Sequence, residues 1–184
     1  FKQKTAYEML RSLVGSEMCI RDRDILDNVV PYIGGEEEKI ELETRLLLGR
    51  IAAGRRVEAS LVVSAQANRV PVLDGHTVCL SLGFASPPTV EQALAALSDF
   101  RPPAEVRGLP SAPERPLLLR TEPDRPQPRR DRDAEGGMAV TVGRVRPCPL
   151  LDLRLVSVSH NTLRGAASGS ILNAELLVAA GYVR

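Results

Sequence analysis

Eight of the chain's fourteen prolines fall between residues 101 and 137. Proline has no N–H to give a ladder or a helix interior, so regular structure has to be built mainly on either side of this stretch. It also holds the charge-dense run "RTEPDRPQPRRDRDAEGG". On composition alone it reads as a disordered linker. "RPLLLR" within it is the exception, since three leucines in a row can form a short strand. A long proline-rich excursion that packs on a partner subunit accommodates both features.

The rest of the chain has a globular balance. It comprises 184 residues, 43% hydrophobic and 26% charged, enough for one domain of ordinary size with a buried core. Lys and Arg total 24 against 23 Asp and Glu, and aromatic residues make up 3%. That leaves neither the basic field nor the stacking surface of a nucleic-acid binder. The three cysteines, Cys19, Cys79 and Cys148, form no C-x-x-C pair. An odd, unclustered set argues against a disulfide framework or a zinc site and for a reducing, cytoplasmic compartment. No apolar run approaches the roughly 20 residues of a membrane span.

Residues 1–23, "FKQKTAYEMLRSLVGSEMCIRDR", differ in composition from the rest of the chain. They resemble translated sequencing-adapter DNA and are expected to be a non-native or disordered leader. An amphipathic helix through Tyr7, Leu10, Leu13 and Val14 is the alternative. From Asp24 the pattern is coherent. "GGEEEKIELETRLLLGRI" opens on two glycines and an acidic first turn, and Ile40, Leu47, Leu48 and Ile51 recur at helical spacing. Glu41 and Arg45 add an i,i+4 pair. The valine-rich "VEASLVVSAQANRVPV" reads as a strand closed by Pro71, and the alternating "HTVCLSL" as a second. Thr89 and Gln92 have capping-box spacing ahead of the apolar run in "PPTVEQALAALSDF", which predicts a helix. "GMAVTVGRVRP" and "LDLRLVSVSH" read as two more strands. "NTLRGAASGSILNAELLVAAGYVR" closes the chain as a helix with small residues in its first turn, where a backbone or ligand can come close.

Three local patterns carry chemistry: "YIGGEEEKIE", "NRVPVLDGHT" and "SHNTLRGAASGSILNAEL". In this order, with the proline-rich passage before "VGRVR", they resemble the C-terminal part of the aspartate-semialdehyde dehydrogenase family, in its archaeal and fungal branch. The resemblance runs from Asp24 to Arg184. It implies a mixed α/β domain of the α+β kind, the C-terminal domain of a glyceraldehyde-3-phosphate dehydrogenase-like fold. Such a domain has a largely antiparallel sheet with helices on one face, and its other face forms a homodimer or part of a homotetramer. Residues 24–158 would be the substrate-binding and dimerisation part. Residues 159–184 would be the helix that packs on an NADP-binding domain, leaving Ile171, Leu172, Leu176 and Leu177 as an apolar exposed patch and the isolated chain poorly soluble.

The family reduces aspartyl phosphate with NADPH to aspartate semialdehyde and phosphate. By resemblance, His76 is the general acid/base at the hemithioacetal oxygen, a task suited to a group that titrates near working pH. Arg69 grips the substrate's α-carboxylate with its two-pronged guanidinium. Glu36 takes the substrate's amino group and Lys39 meets the phosphate, and i,i+3 spacing on a helix puts both on one face. Asn161 and Gly165 lie where the last helix approaches NADP. His160, at a strand end, is expected to be structural.

Each assignment has a plainer competitor: a turn histidine for His76, a surface ion pair for Arg69, a solvated helix face for "EEEKIE", and tight helix packing for Gly165, Ala166 and Ala167. The family's nucleophilic cysteine, in an "S-C-T-T-N" type motif, is not found here, and neither is the glycine-rich dinucleotide fingerprint. None of the three cysteines occupies that position, so the chain by itself is expected to be inactive. Two alternatives to such a parent enzyme remain, a relative that reduces malonyl-CoA or another acyl-CoA, and a non-catalytic dimerisation module. Glu36 and Lys39 favour the first reading, because an acyl-CoA offers neither an amino group nor an acyl phosphate.

Overall fold

The computed structural model describes residues 25–183. The expectations for residues 1–23 lie outside the described residues. The chain separates into two compact units, Phe1–Pro71 and Val72–Arg184.

In the first unit, helix α1 spans Glu36–Leu47, with Gly35 as its N-cap at φ 72° and three glutamates in its first turn. The helix is shorter than the apolar spacing predicts. It gives way to a hairpin, β1 Arg50–Ala52 against β2 Arg55–Val57, so Ile51 belongs to a strand. Both loop residues have positive φ, 49° at Ala53 and 71° at Gly54, as a two-residue primed turn demands. An alanine in the first of these positions gives no sequence signal for such a turn. Gly49 makes the switch from helix to strand possible, because a Cβ there would lie 2.2 Å from the Val57 carbonyl oxygen.

The strand expected over "VEASLVVSAQANRVPV" does not form as a ladder. β2 ends at Val57, and the residues beyond it have no strand partner until the single antiparallel bridge between Val30 and Arg69. Carboxylates hold the segment instead. Glu37 Oε1 accepts the Ala67 N–H at 2.8 Å and Glu41 Oε1 accepts the Ala65 N–H at 2.9 Å. Glu37 and Glu41 are one turn apart and Ala65 and Ala67 are two residues apart, so one helix face serves alternate amides of an extended chain. The expected Glu41–Arg45 pair is therefore not made. Arg45 Nε instead meets Glu58 at 3.1 Å.

The second unit is built on a four-stranded sheet in the order β3-β6-β5-β4. Strands β3 (His76–Leu82), β5 (Val140–Pro147) and β6 (Leu153–Ser159) pair antiparallel, and β4 (Leu117–Leu119) joins β5 in parallel. The expected mixed, largely antiparallel sheet is what the chain forms. Helix α2, Val90–Ser98, starts at the predicted capping box, with Thr89 Oγ1 accepting from the Gln92 N–H and Gln92 Oε1 from the Thr89 N–H. It packs on β4 and β5. Met138, Ala139, Val142, Leu153 and Val158 form the core.

The proline-rich stretch is ordered, which corrects the linker reading. It supplies β4 and a short helix, α3 (Pro128–Asp131), that packs on β6. The reason is a buried charge. Asp131 is 0% exposed and accepts hydrogen bonds from Arg125, from Arg120 Nε at 3.2 Å and from the Gln127 N–H at 2.6 Å. Burial alone would raise its carboxyl pKa. The bonds from Arg125 and Gln127 and the charges of Arg125 and Arg120 outweigh that and hold it below its ordinary value. The clamped segment then covers Gly143 on β5 so closely that a Cβ there would lie 2.6 Å from the Arg125 carbonyl oxygen.

At the C-terminal end, a π-turn at Leu163–Ala167 leads into α4, Ser168–Ala179. Glu175 ties this helix to the proline-rich stretch, accepting from the Ser111 N–H at 2.9 Å and the Ser111 hydroxyl at 2.7 Å. Of the expected apolar patch, Ile171 and Leu177 are 53% and 45% exposed. Leu172 and Leu176 are half-buried.

Asp131→Asn leaves two guanidinium groups without their counter-charge and is expected to destabilise by about 3 kcal/mol. Because the folded carboxyl sits below its ordinary value of 3.8, the stabilisation is fully present above that pH and is lost as pH falls further. Urea melts from pH 7 to pH 2 should show a steeper acid loss in the native chain than in Asp131→Asn. Thr141 is fully buried and its hydroxyl has no partner among the described residues. Thr141→Val should therefore stabilise by about 1 kcal/mol, and a lower melting temperature would show that the hydroxyl is satisfied.

Candidate functional site

His76 is the first residue of β3, paired with Ser159 at the end of β6, and it is exposed. The turn that delivers it is held from three directions. Gly75 takes φ 106°, a conformation that favours glycine. The Gly75 N–H donates to Asn161 Oδ1 at 2.8 Å, and Arg132 Nη1 donates to the Asp74 carbonyl oxygen at 3.1 Å. Pro128 and Arg132 sit 3.4 and 3.5 Å from where a Gly75 Cβ would be. The clamp on Asp131 thus extends, through α3, to the backbone next to the imidazole.

Asn161, expected at the cofactor, has its side-chain oxygen committed to this turn. Arg132 was not singled out from sequence, and nothing in "RRDRD" distinguishes the arginine that faces a turn from its neighbours.

His160 is buried, 7% exposed. Its Nδ1 accepts from the Leu163 N–H at 3.3 Å and lies 3.0 Å from the Thr162 hydroxyl, while Nε2 faces Asp133 at 3.8 Å. An Nδ1 acceptor puts the neutral ring's proton on Nε2. His160 therefore caps the turn into the π-turn, the structural part expected of it. Gly165 is exposed, and a Cβ there would meet only the His160 carbonyl oxygen, at 3.7 Å. Tight helix packing does not explain this glycine. Gly169 is the one the fold requires, since its Cβ would lie 2.3 Å from the Arg164 carbonyl that the π-turn brings over it. Arg164, Gly165, Gly169 and Asn173 line an open groove of about 310 Å³. Burial lowers the Arg164 guanidinium from its ordinary value, and its Nη1 donates to the Met138 carbonyl at 2.7 Å.

In the first unit, Glu36 and Lys39 share a face of α1, with Nζ 3.9 Å from the carboxylate. Lys39 is exposed and Glu36 half-buried. The acidic run is more than a solvated face, because its other side, Glu37 and Glu41, holds the segment leading to Arg69. Backbone bonds of 3.1 and 2.9 Å between Val30 and Arg69 fix that residue's main chain. Its half-buried side chain makes no hydrogen bond or ion pair with the described residues. A positioned guanidinium with free donors is what a carboxylate ligand needs.

The two described thiols stand away from His76. Cys79 is three residues on in the same strand, hence on the opposite face. Cys148 lies past the Leu82–Leu153 end of the sheet, roughly 20 Å along a strand of this length. Its thiol is held below the usual range by the N–H groups of Leu151 and Leu150.

Residues 10–164 match the family model for the dimerisation domain of semialdehyde dehydrogenases, and the chain belongs to this family. The match begins within residues 1–23, the stretch whose composition differs from the rest of the chain. Among named relatives, the aspartate-semialdehyde dehydrogenase of Trichophyton rubrum is 48% identical over 171 residues, 89% of this chain and 47% of that protein. That of Methanothermobacter thermautotrophicus is 53% identical over 155 residues, 83% of this chain and 45% of the relative. The crystal structure of the Candida albicans enzyme with NADP superposes with TM-score 0.82 at 48% identity, covering 88% of this chain and 47% of that one. The Vibrio cholerae enzyme II complexed with ASA gives TM-score 0.62 at 27% identity, over 82% and 41% of the two chains. The chain spans about half the length of the relatives it matches.

Asn161→Ala removes the acceptor for the Gly75 N–H. Amide exchange at Gly75 is expected to speed up by about tenfold, the worth of one ordinary hydrogen bond, while exchange in β5 stays unchanged. An unaltered Gly75 rate would show that Arg132 and the glycine conformation hold the turn without Asn161.

Proposed function

We propose that this chain is the substrate-binding and dimerisation part of an aspartate-semialdehyde dehydrogenase, a cytoplasmic enzyme that works as a homodimer or homotetramer. The reaction is the NADPH-dependent reduction of L-aspartyl-4-phosphate to L-aspartate-4-semialdehyde and phosphate, in lysine, threonine and methionine biosynthesis. The observation that carries the reading is the exposed His76 on a turn braced by Asn161 and Arg132, in a chain about half identical to enzymes of that name.

In this reading His76 exchanges a proton with the substrate oxygen as the carbonyl carbon is reduced. An imidazole can give and take that proton near neutral pH. Arg69 binds the α-carboxylate with the donors it leaves free, Glu36 the α-amino group, and Lys39 the phosphate. The Glu36–Lys39 contact of 3.9 Å is long enough to yield to a charged ligand at little cost. Glu37 and Glu41 keep Arg69 in place by holding the segment before it.

NADP fits the open groove in character. Gly165 leaves room that packing does not use, and Arg164 offers positive charge. When bound, NADPH supplies the hydride. Gly165 and Arg164 would border it, and Asn161 would act indirectly, through the turn before His76. In this reading none of Cys19, Cys79 and Cys148 serves as the family's nucleophilic cysteine, and that thiol is supplied by residues other than those of this chain. Glu36 and Lys39 favour an amino-acid phosphate over a coenzyme A thioester, the substrate of the acyl-CoA reductase alternative.

Joining residues 24–184 to the nucleotide-binding half of a close relative should restore phosphate-dependent oxidation of aspartate semialdehyde by NADP. His76→Ala should then lower kcat by about a hundredfold or more, and Arg69→Lys should act mainly on KM. A chimera that folds and binds NADP but oxidises only a coenzyme A substrate, or nothing, would replace this reading with the acyl-CoA reductase or the non-catalytic module.

A further inference from the structure

The second unit carries a feature that the proposed reaction does not use. β5 has a bulge between Gly143 and Arg146, and Arg144 sits in it at φ 58°. Glycine is the residue that suits such a backbone, and an arginine there is held against a steric preference. Strain of this kind is retained where the side chain has a task. The Arg144 Nη1 donates to the Pro123 carbonyl at 2.8 Å, and Arg146 Nη1 donates to the Arg144 carbonyl at 2.5 Å. Both arginines line a groove of about 260 Å³, together with Arg120, Thr121, Glu122 and Leu94.

The charge there is unbalanced. Among the described residues no carboxylate forms an ion pair with Arg144, Arg146 or Arg154. Asp131 is shared between Arg120 and Arg125, which leaves one positive charge of that trio over. Glu122 lines the groove and brings one negative charge, against those of Arg144, Arg146 and the surplus from Arg120 and Arg125. Burial, and then the charges of Arg144 and Arg154, push the Arg146 guanidinium below its ordinary value. A guanidinium has five N–H donors, and Arg144 and Arg146 each spend one on the protein.

We infer that the β5 bulge and the Arg120–Pro123 segment form a binding site for a compact, multiply charged oxyanion of the phosphate class, gripped by Arg144 and Arg146. A phosphate group would accept the unused N–H donors in pairs and supply the missing negative charge. The inference stands on the second unit alone, whatever reaction the parent protein performs.

The test is calorimetric titration of the full chain with pyrophosphate and with inorganic phosphate at low ionic strength. Saturable binding is expected, tighter for pyrophosphate and weakened by added salt. Arg144→Gly keeps a residue suited to φ 58°, so it should melt no lower than the native chain while weakening pyrophosphate binding about tenfold or more. Arg146→Gln should weaken pyrophosphate binding to a similar extent. Lys39→Ala, at the residue proposed for the substrate's phosphate, should leave this binding in place. Binding that Lys39→Ala removes and Arg144→Gly spares would overturn the inference and assign the anion to the first unit. Absence of saturable binding, or equal binding in all variants, would overturn it as well.

Discussion

One buried carboxylate organises the second unit. Asp131 has no exposed surface, and an ionised group in that position is stable only where charge and hydrogen bonds meet it on several sides. Arg125, Arg120 and the Gln127 amide do so. The stretch from residue 120 to 131 has to fold back on itself to bring them together. Once it has, the Arg125–Pro126 backbone lies on Gly143, β4 joins β5, and α3 reaches β6. A proline-rich, charge-dense segment buries little apolar surface of its own. Its order comes from this cluster.

The consequence reaches the imidazole proposed for catalysis. α3 ends at Asp131, and the next residue, Arg132, holds the Asp74 carbonyl while Asn161 holds the Gly75 amide. His76 itself is exposed and lightly constrained. Its position is set through backbone contacts on the preceding turn. A group that must exchange a proton with a ligand needs solvent-side access together with a fixed origin, and a strand end braced by side chains from two distant segments provides both. The first unit uses the same device, with Glu37 and Glu41 holding the amides that lead to Arg69.

Much of the architecture was legible in the sequence where the pattern was local. The capping box at Thr89 and Gln92, the alternation in β3, β5 and β6, and the acidic start of α1 each became the element they predict. The failures were non-local. "VEASLVVSAQANRVPV" has strand composition but lacks a partner strand, and two glutamates from α1 replace the ladder. The β1–β2 hairpin turns on an alanine at positive φ, which no propensity would nominate. Glu41 and Arg45 had the spacing of an ion pair, yet each found a better partner further along the chain.

The candidate site divides the same way. His76, Arg69, Glu36, Lys39, Asn161 and Gly165 could be named from motifs, because motifs preserve residue type and spacing. Sequence by itself determined which groups are present to hold a proton, a carboxylate or a phosphate, and the strands and helices whose pattern is local, such as α2, β3, β5 and β6. Only the tertiary structure decided that Asn161 and Arg132 brace a turn, that Asp131 is buried where Arg129, Arg130 and Asp133 are exposed, and that Arg144 sits strained in a bulge. Those roles depend on burial and on contacts between residues up to 86 positions apart, and neither can be read from the identity of a residue or its neighbours.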